Sequence, residues 1–202
     1  MYIPKHFKIE DEEEIYEFIE KYSFATLYST HKGEPYATQL PLILKKDEKA
    51  LYGHFARANG QWKDIKDQTV LVVFQGPHSY VSPSWYEISD AVPTWNYVAV
   101  HLYGKVDMIE DDKVILDSLN EMVTKYEKPD SPYNLRNVDS RYIEGLSKGI
   151  VAFKMNITKI EAKAKLSQNH PVERQELIIE NLERSTDQND FRVATLMKKN
   201  LY

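Results

Sequence analysis

The chain has 202 residues, a formal net charge of −5 at pH 7 and 12% aromatic residues, among them fourteen tyrosines. This length suits one domain with its own hydrophobic core, so we expect a single domain over residues 1–202 with an N-terminal helix and a C-terminal helical extension. The acidic balance argues against a nucleic-acid-binding surface, and the lack of cysteine excludes disulfides and thiolate metal sites. The start of the chain lacks the order of a secretory signal, and no apolar run is long enough to span a membrane, so we expect a cytoplasmic protein.

The N-terminal quarter shows one helical pattern followed by strand patterns. Apolar residues at helical spacing follow Asp11, which predicts a helix with an acidic outer face. From Phe24 the period changes to that of strands, interrupted by polar turn sequences. Three short strands are therefore predicted, at residues 24–30, 36–44 and 51–56.

The middle of the chain predicts a short helix and two strands. The sequence RANGQWKDIKD, residues 57–67, has helical spacing with Asn59 as a possible N-cap. Thr69–Gln75 predicts a buried strand, which an aromatic loop, GPHSYVSPSWY, follows. Residues 95–109 alternate between an apolar face and an aromatic, polar face, which predicts a strand whose second face meets a ligand or another subunit.

The C-terminal half predicts mostly helices. We expect helices at residues 111–126, after Pro171 and at residues 190–202, with a strand at residues 149–161 between the first two. About six strands, several joined by tight turns, then predict a small antiparallel barrel decorated with helices.

Arg57 and Lys63 lie around the start of the predicted short helix. Free backbone N–H groups and the helix dipole favour an anion at such a position, so this segment is a candidate phosphate seat. The alternative, which the residues alone favour, is an ordinary capped helix with solvated charges.

The aromatic loop and the strand after it bring several rings into one neighbourhood if their strands pair. These aromatic residues are His78, Tyr80, Trp85, Trp95 and Tyr97. Such rings can wall a planar ligand, and Ser82, Ser84 and Asn96 offer hydrogen bonds to its edges. A dimer interface built from the same aromatic residues is the alternative, and both readings can hold together.

The sequence KAKLSQN, residues 163–169, holds two lysines and three uncharged polar side chains. It is a candidate site for a phosphate or a ring edge, and a polar turn that caps the following helix is the alternative. The six histidines show no metal-binding spacing, and no phosphate-binding loop or nucleophile motif occurs. We therefore expect no metal and assign no catalytic residue.

Four stretches in order, GHFARANGQW, FQGPHSYVSPSWY, VPTWNYVAVHLYG and KLSQN, resemble the PaiB family of FMN-binding negative transcriptional regulators. The resemblance covers nearly the whole chain. It implies a β-rich α+β fold, an FMN-binding split β-barrel of the pyridoxamine-phosphate-oxidase-like class with flanking helices. It also implies a homodimer with FMN bound in the groove between the subunits.

The resemblance also implies which residues contact the cofactor. The segment from His54 to Lys63 corresponds to the part of the split barrels that holds the FMN phosphate, and Thr38–Pro41 to the part that lies along the flavin edge. The cofactor-binding residues so implied are Thr38, Gln39, Leu40, His54, Arg57, Asn59, Gln61, Trp62, Lys63, Ser82, Trp95, Asn96, Lys165, Ser167, Gln168 and Asn169.

For function, the resemblance implies a negative transcriptional regulator of protease production and sporulation. The alternatives are an FMN-dependent oxidoreductase acting on a small molecule and a flavin-free dimer. DNA as a partner rests on the resemblance alone, because no helix-turn-helix is found and the net charge opposes DNA. A cluster of basic residues in space would support it; the candidates are Lys159, Lys163, Lys165, Arg174, Lys198 and Lys199.

Overall fold

The computed structural model describes the backbone of residues 1–202 and the side chains of all residues except 136, 140 and 144. Within this description the strands are β1 Phe24–His31, β2 Glu34–Pro41, β3 Ile43–Lys45, β4 Ala50–Ala56, β5 Val70–Val81, β6 Thr94–Ile109 and β7 Ile150–Lys165. The α-helices are α1 Glu12–Lys21, α2 Asp112–Tyr126, α3 Ser140–Ser147, α4 Val172–Glu183 and α5 Gln188–Leu201.

The described strands form one seven-stranded sheet in the order β2-β1-β5-β6-β7-β4-β3. β1 pairs antiparallel with both β2 and β5, and β4 pairs antiparallel with both β3 and β7. Neighbours in sequence therefore pair through short turns at the edges of the sheet, as in a meander. The predicted β-rich α+β class is confirmed.

The chain divides into two compact units. The first contains residues Met1–Phe18, Gln75–Val100 and Glu161–Tyr202, and the second contains residues Ile19–Phe74 and His101–Ile160. β5, β6 and β7 each cross from one unit to the other along the chain. The prediction of one domain over residues 1–202 stays a prediction.

Each unit has its own buried apolar residues. In the first unit, α4 and α5 pack on each other and bury Ile178, Leu182 and Val193 completely. In the second unit, Phe55 and Phe153 stack with ring centroids 4.9 Å apart and both are buried.

The alternation predicted for residues 95–109 is confirmed. Its apolar face is buried at every second residue along β6; these residues are Asn96, Val98, Val100, Leu102, Gly104 and Val106. Gly104 is required there because a Cβ would lie 2.2 Å from the backbone oxygen of Asn156 on β7. A glycine in a strand interior often marks such a close approach of another backbone.

Two predicted strands have different limits in the structure. The predicted strand at residues 36–44 is interrupted at Leu42, whose backbone N–H donates to the Ser23 carbonyl at 2.9 Å, so β2 and β3 are separate strands. The strand predicted to end at Gln75 continues to Val81, so half of the predicted aromatic loop is strand. Gly76 does not start a turn; the ring of Phe18 lies where its Cβ would stand, at 2.7 Å.

The helix predicted over residues 57–67 is wrong. The structure has a four-residue 3-10 turn, Gly60–Lys63, although Asn59 does cap it by accepting a hydrogen bond from the backbone N–H of Gln61. Side chains after the turn bind β1 instead of extending a helix: Asp64 pairs with His31, and Gln68 donates to the carbonyl of Thr30 at 2.6 Å. The candidate phosphate site therefore lacks the α-helix whose dipole was expected to favour an anion.

Candidate functional site

The sixteen candidate cofactor residues fall into two groups, one in each compact unit. Those from Thr38 to Lys63 belong to the second unit, and those from Ser82 to Asn169 belong to the first. The two groups are described in turn.

The first group is organised around the carboxamide of Gln61, which is 0% exposed. Its Oε1 accepts a hydrogen bond from Thr38 Oγ1 at 2.5 Å, and its Nε2 donates to Ser29 Oγ at 2.9 Å. Asn59 Nδ2 donates to the same Thr38 hydroxyl at 2.9 Å. The structure thus brings three predicted residues, Thr38, Asn59 and Gln61, into one hydrogen-bonded network.

The network leaves little polar capacity for a ligand. The Gln61 amide nitrogen also lies 3.4 Å from the carbonyls of Leu27 and Tyr36, so both of its polar atoms are engaged with β1 and β2. Buried polar groups of this kind fix geometry because leaving one unpaired is costly. Gln61 and Asn59 therefore hold the turn in place, and the cations beside them are the groups that face outward.

Arg57 and Lys63 are the exposed cations of this segment. The Arg57 guanidinium donates from Nε to the Lys148 carbonyl at 2.6 Å and from Nη2 to the Ile150 carbonyl at 2.7 Å. Because arginine carries five N–H donors, three remain after these two bonds. The Lys63 ammonium lies 6.0 Å from the centre of the Trp62 ring, whose Nε1 donates to the Arg57 carbonyl at 3.0 Å.

The remaining candidates of the second unit lie on strands. Gln39 is exposed and Leu40 is buried on β2, at the edge of the sheet. His54 lies on β4 opposite Ala152 of β7, and burial lowers the pKa of its imidazole. His54 is thus favoured in its neutral form.

In the first unit, Asn96 and Ser167 form a buried pair. Ser167 Oγ donates to Asn96 Oδ1 at 3.0 Å, and the two residues are 2% and 0% exposed. Ser167 has a φ of +65°, a left-handed conformation that is uncommon for residues other than glycine. The hydrogen bond to Asn96 holds this strained turn at the end of β7.

Gln168 and Lys165 complete the same turn. Gln168 accepts a hydrogen bond from the backbone N–H of Leu166 and donates to the Ala164 carbonyl, both at 2.7 Å. Lys165 Nζ donates to Thr94 Oγ1 at 2.5 Å and to the Trp95 carbonyl at 2.7 Å. Lys165 thus lies at the end of β7, not in a loop as the sequence predicted.

Trp95 is 53% exposed at the start of β6, and its ring meets two neighbours from β5. The ring centroids of His78 and Tyr80 each lie 6.0 Å from the Trp95 centroid. The structure thus brings together three of the five predicted aromatic residues, His78, Tyr80 and Trp95, and their exposure marks an aromatic surface of the first unit. Ser82 lies apart from these contacts and caps the 3-10 turn Pro83–Trp85 by accepting from the Ser84 N–H at 3.2 Å.

The first unit also contains a cavity of about 480 Å³ beside the KLSQN segment. Lys165, Ser167 and Asn169 line it, and so do residues that the sequence did not single out as ligand-binding, notably His170 and Arg174. Arg174 Nη1 lies 3.4 Å from His170 Nδ1, and Tyr86 and Glu87, from a distant part of the chain, contact these two residues. The sequence carried no signal for this arrangement.

Two other kinds of site receive no support in the described residues. Within the chain apart from the side chains of residues 136, 140 and 144, no group of three or more potential ligands is arranged to hold a metal ion. None of the helices in that same part of the chain has the length and apolar content that a bilayer crossing requires.

Comparison with solved structures identifies the fold class. The flavocytochrome Anf3 from Azotobacter vinelandii superposes with a TM-score of 0.65 at 18% sequence identity, covering 81% of this chain and 72% of that chain. A protein described as a "putative 5-nitroimidazole antibiotic resistance protein" from Bacteroides thetaiotaomicron VPI-5482 gives 0.60 at 19% identity, covering 77% of this chain and 85% of that chain. At such identities the likeness concerns the fold alone, and the predicted split β-barrel with flanking helices is confirmed.

Comparison of sequences identifies the family. The family described as "Putative FMN-binding domain" matches residues 1–159. The chain is 43% identical to protease synthase and sporulation protein PAI 2 of Bacillus subtilis (strain 168), over 100% of this chain and 98% of that protein. The chain belongs to this FMN-binding domain family, and the resemblance to the PaiB family is confirmed. Membership implies FMN as the cofactor.

The chemistry of residues 57–63 fits the phosphate group of FMN. Arg57 and Lys63 are exposed, and each retains N–H donors beyond those engaged within the chain. A phosphate dianion is bound by such charge-assisted hydrogen bonds. The buried amides of Asn59 and Gln61 hold the segment that carries both cations, so they would position the phosphate contacts without making them.

Replacing Gln61 with leucine tests this positioning role. Gln61→Leu leaves the half-buried hydroxyl of Thr38 without its acceptor and removes the donor to Ser29, so the free energy of unfolding should fall by about 2–3 kcal/mol. Gln39→Leu, the same change at an exposed residue of β2, should alter it by about 0.5 kcal/mol or less. Urea unfolding measures both; an equal effect of the two substitutions would contradict the buried network.

Proposed function

We propose that this protein is a cytoplasmic, homodimeric, FMN-binding regulator that represses protease production and sporulation. The observation that carries the proposal is similarity over the full chain, at 43% identity, to a protein named for protease synthesis and sporulation. The match to the FMN-binding domain family supports the flavin part of the proposal independently.

For FMN, we assign the phosphate to Arg57 and Lys63 and the flavin edge to the backbone of β2 at residues 38–40. The support is chemical: the two cations are the exposed basic side chains next to a turn that the buried Gln61 network holds. When bound, FMN supplies one- and two-electron redox chemistry, and the protein supplies binding and orientation. The candidates in the first unit keep their cofactor role as a prediction.

The regulatory part of the proposal does not rely on the basic cluster suggested by the sequence. Lys163 is 7% exposed. Arg174 forms an ion pair with Glu87, and Lys198 forms one with Glu183, each at 2.6 Å. Lys163, Arg174 and Lys198 are therefore less available for contacts with phosphates, and DNA as a partner stays a prediction.

For the homodimer, we assign the aromatic surface of Trp95, His78 and Tyr80 to the subunit interface. Trp95 and Tyr80 are 53% and 46% exposed, and aromatic residues of this kind are enriched at protein interfaces. A cluster of exposed rings on adjacent strands is costly to leave in water and is suited to pack against a second copy.

Removing Lys63 tests the phosphate assignment. Lys63→Ala should weaken FMN binding about tenfold, because it removes a charge-assisted contact from an exposed side chain without disturbing the turn. Lys66→Ala, which changes an exposed lysine three residues after Lys63, is the matched control and should bind FMN like the wild type. Flavin fluorescence titration gives both dissociation constants.

The same FMN titration on Arg57→Ala, together with its thermal stability, distinguishes the loss of an FMN contact from the loss of a structural contact. Arg57 also donates to the carbonyls of Lys148 and Ile150, so this variant should lose both FMN affinity and thermal stability, whereas Lys63→Ala should lose affinity alone. Wild-type affinity in the Arg57→Ala, Lys63→Ala double variant would refute the phosphate assignment.

Truncating Trp95 tests the interface. Trp95→Ala should shift the dimer towards monomer by about 2 kcal/mol, the loss typical of a central aromatic contact. Phe191→Ala on α5, where the side chain is 58% exposed outside the aromatic surface, should leave association unchanged. Sedimentation equilibrium of the two variants decides the matter: equal association would place the interface elsewhere.

The regulatory role is tested in cells. The chain should be expressed in a Bacillus subtilis strain that lacks protease synthase and sporulation protein PAI 2, and secreted protease activity and spore frequency should then fall several-fold relative to empty vector. Expression of Lys63→Ala beside the wild type shows whether repression needs the flavin. Unchanged protease activity with wild-type protein present at normal levels would contradict the regulatory proposal.

A further inference from the structure

The cavity of the first unit has the dimensions of a small-molecule site. Its volume of about 480 Å³ falls within the range of about 300–1,000 Å³ typical of ligand pockets. It combines apolar and aromatic lining residues, among them Phe7, Tyr86 and Pro93, with polar groups at the end of β7 and the start of α4. A flat apolar body is the kind of ligand that such ring-bearing walls accommodate.

The charges around the cavity are mainly positive. Lys165 and Arg174 line it together with His6 and His170, and among the described lining residues Asp90 is the one acid. Asp90 is exposed on the loop that precedes β6. The cavity therefore offers Lys165 to a ligand, whereas Arg174 is paired with Glu87, which lies outside the lining.

Lys165 is placed to hold an anion. Its ammonium has three N–H donors, and the described residues engage two of them with uncharged oxygens, the Thr94 hydroxyl and the Trp95 carbonyl. Burial, with a further contribution from the charge of Lys163, lowers the pKa of Lys165. A bound anion would relieve this unfavourable environment of the ammonium.

The pKa of His170 reflects the positive charges around the cavity. The pKa of its imidazole is lowered first by burial and then by the charges of Arg174 and Lys165, while Glu87 opposes them. Both cations therefore act on the His170 imidazole, which lines the cavity between the KLSQN segment and α4.

Arg174 already holds a carboxylate. Its Nε lies 3.1 Å from both oxygens of Glu87, and its Nη2 donates to Glu87 Oε1 at 2.6 Å, which is the fork that arginine forms with carboxylates and phosphates. The Arg174 guanidinium also lies 5.1 Å from the centre of the Tyr86 ring. The Glu87 side chain is 41% exposed, so it can leave this position without being buried elsewhere.

We propose that this cavity binds a small organic oxyanion with a flat apolar body, that Lys165 and Arg174 hold the anionic group, and that Glu87 occupies Arg174 when the ligand is absent. The rings of Phe7 and Tyr86 contact the body of the ligand. This proposal concerns a second ligand and does not rest on FMN binding or on the regulatory role. Lys165, Ser167 and Asn169, which the sequence assigned to FMN, then serve the second ligand.

The test uses isothermal titration calorimetry of the full-length protein with phenyl phosphate and with benzoate. Benzamide is the neutral control for the flat body, and inorganic phosphate is the control for the anion alone. At least one aromatic anion should bind saturably with one site per chain, and benzamide and inorganic phosphate should bind at least tenfold more weakly. The stronger of the two anions tells whether the site prefers a phosphate or a carboxylate.

Three variants test the assigned groups. Lys165→Met and Arg174→Met should each weaken binding of the aromatic anion at least tenfold. Glu87→Gln should tighten it several-fold, because the competing carboxylate is lost while the exposed loop residue is otherwise preserved. A gain in affinity cannot arise from misfolding. Glu87→Gln therefore keeps the test decisive even if Lys165→Met or Arg174→Met loses stability.

The outcomes separate this proposal from the flavin proposal. Saturable anion binding that is the same with and without saturating FMN supports a second site, whether or not FMN itself binds. Displacement of the anion by FMN at one molecule per chain would overturn the proposal, since the cavity would then belong to the cofactor. Absence of saturable binding for both anions, or wild-type affinity in Glu87→Gln and Arg174→Met, would also overturn it.

Discussion

The candidate phosphate site depends on one buried side chain, the carboxamide of Gln61. Its hydrogen bonds join the turn at residues 59–63 to β1 through Ser29 and to β2 through Thr38. A fully buried amide that lost these partners would be costly, so the turn has one low-energy position relative to the two strands. Arg57 precedes this turn and Lys63 ends it, so the position of the turn also fixes where these two exposed cations lie.

The KLSQN segment of the first unit follows the same principle. Ser167 donates a hydrogen bond to Asn96, and Gln168 donates one to the backbone of β7. These bonds hold a turn in which Ser167 has a positive φ. The cation of the segment, Lys165, keeps one donor beyond its bonds to Thr94 and Trp95. In both units, uncharged polar residues thus build the turn, and the charged residues beside them are those that we propose as ligand contacts.

Local patterns predicted much of the fold. The alternation of β6 and the apolar spacing of α1 arise from which faces are buried, and burial follows directly from residue type. The interruption at Leu42 and the continuation of β5 through Gly76 were not predictable, because Leu42 donates a backbone hydrogen bond to Ser23 and the ring of Phe18 packs against Gly76. Both partners are distant in sequence. The dipeptide Gly-Pro occurs in turns, but a glycine also occurs where a ring packs closely against a strand, and the sequence alone does not distinguish the two cases.

The sequence grouped some of the candidate residues but did not indicate what each of them does in the structure. The resemblance indicated Thr38, Asn59 and Gln61, which the structure joins in one network, but gave no sign that Gln61 is fully buried. The pair of Arg174 with Glu87 could not be predicted, since the residues are 87 positions apart and only the fold brings them together. Pairings of this kind depend on tertiary structure rather than on spacing.

The visible absorbance spectrum of the purified wild-type protein, mixed with excess FMN and freed of unbound flavin by gel filtration, tests the central claim most directly. The account predicts a retained flavin band that corresponds to one FMN per chain. A protein that elutes folded, with a native circular dichroism spectrum and without any flavin band, would contradict the claim that this split barrel is an FMN-binding protein.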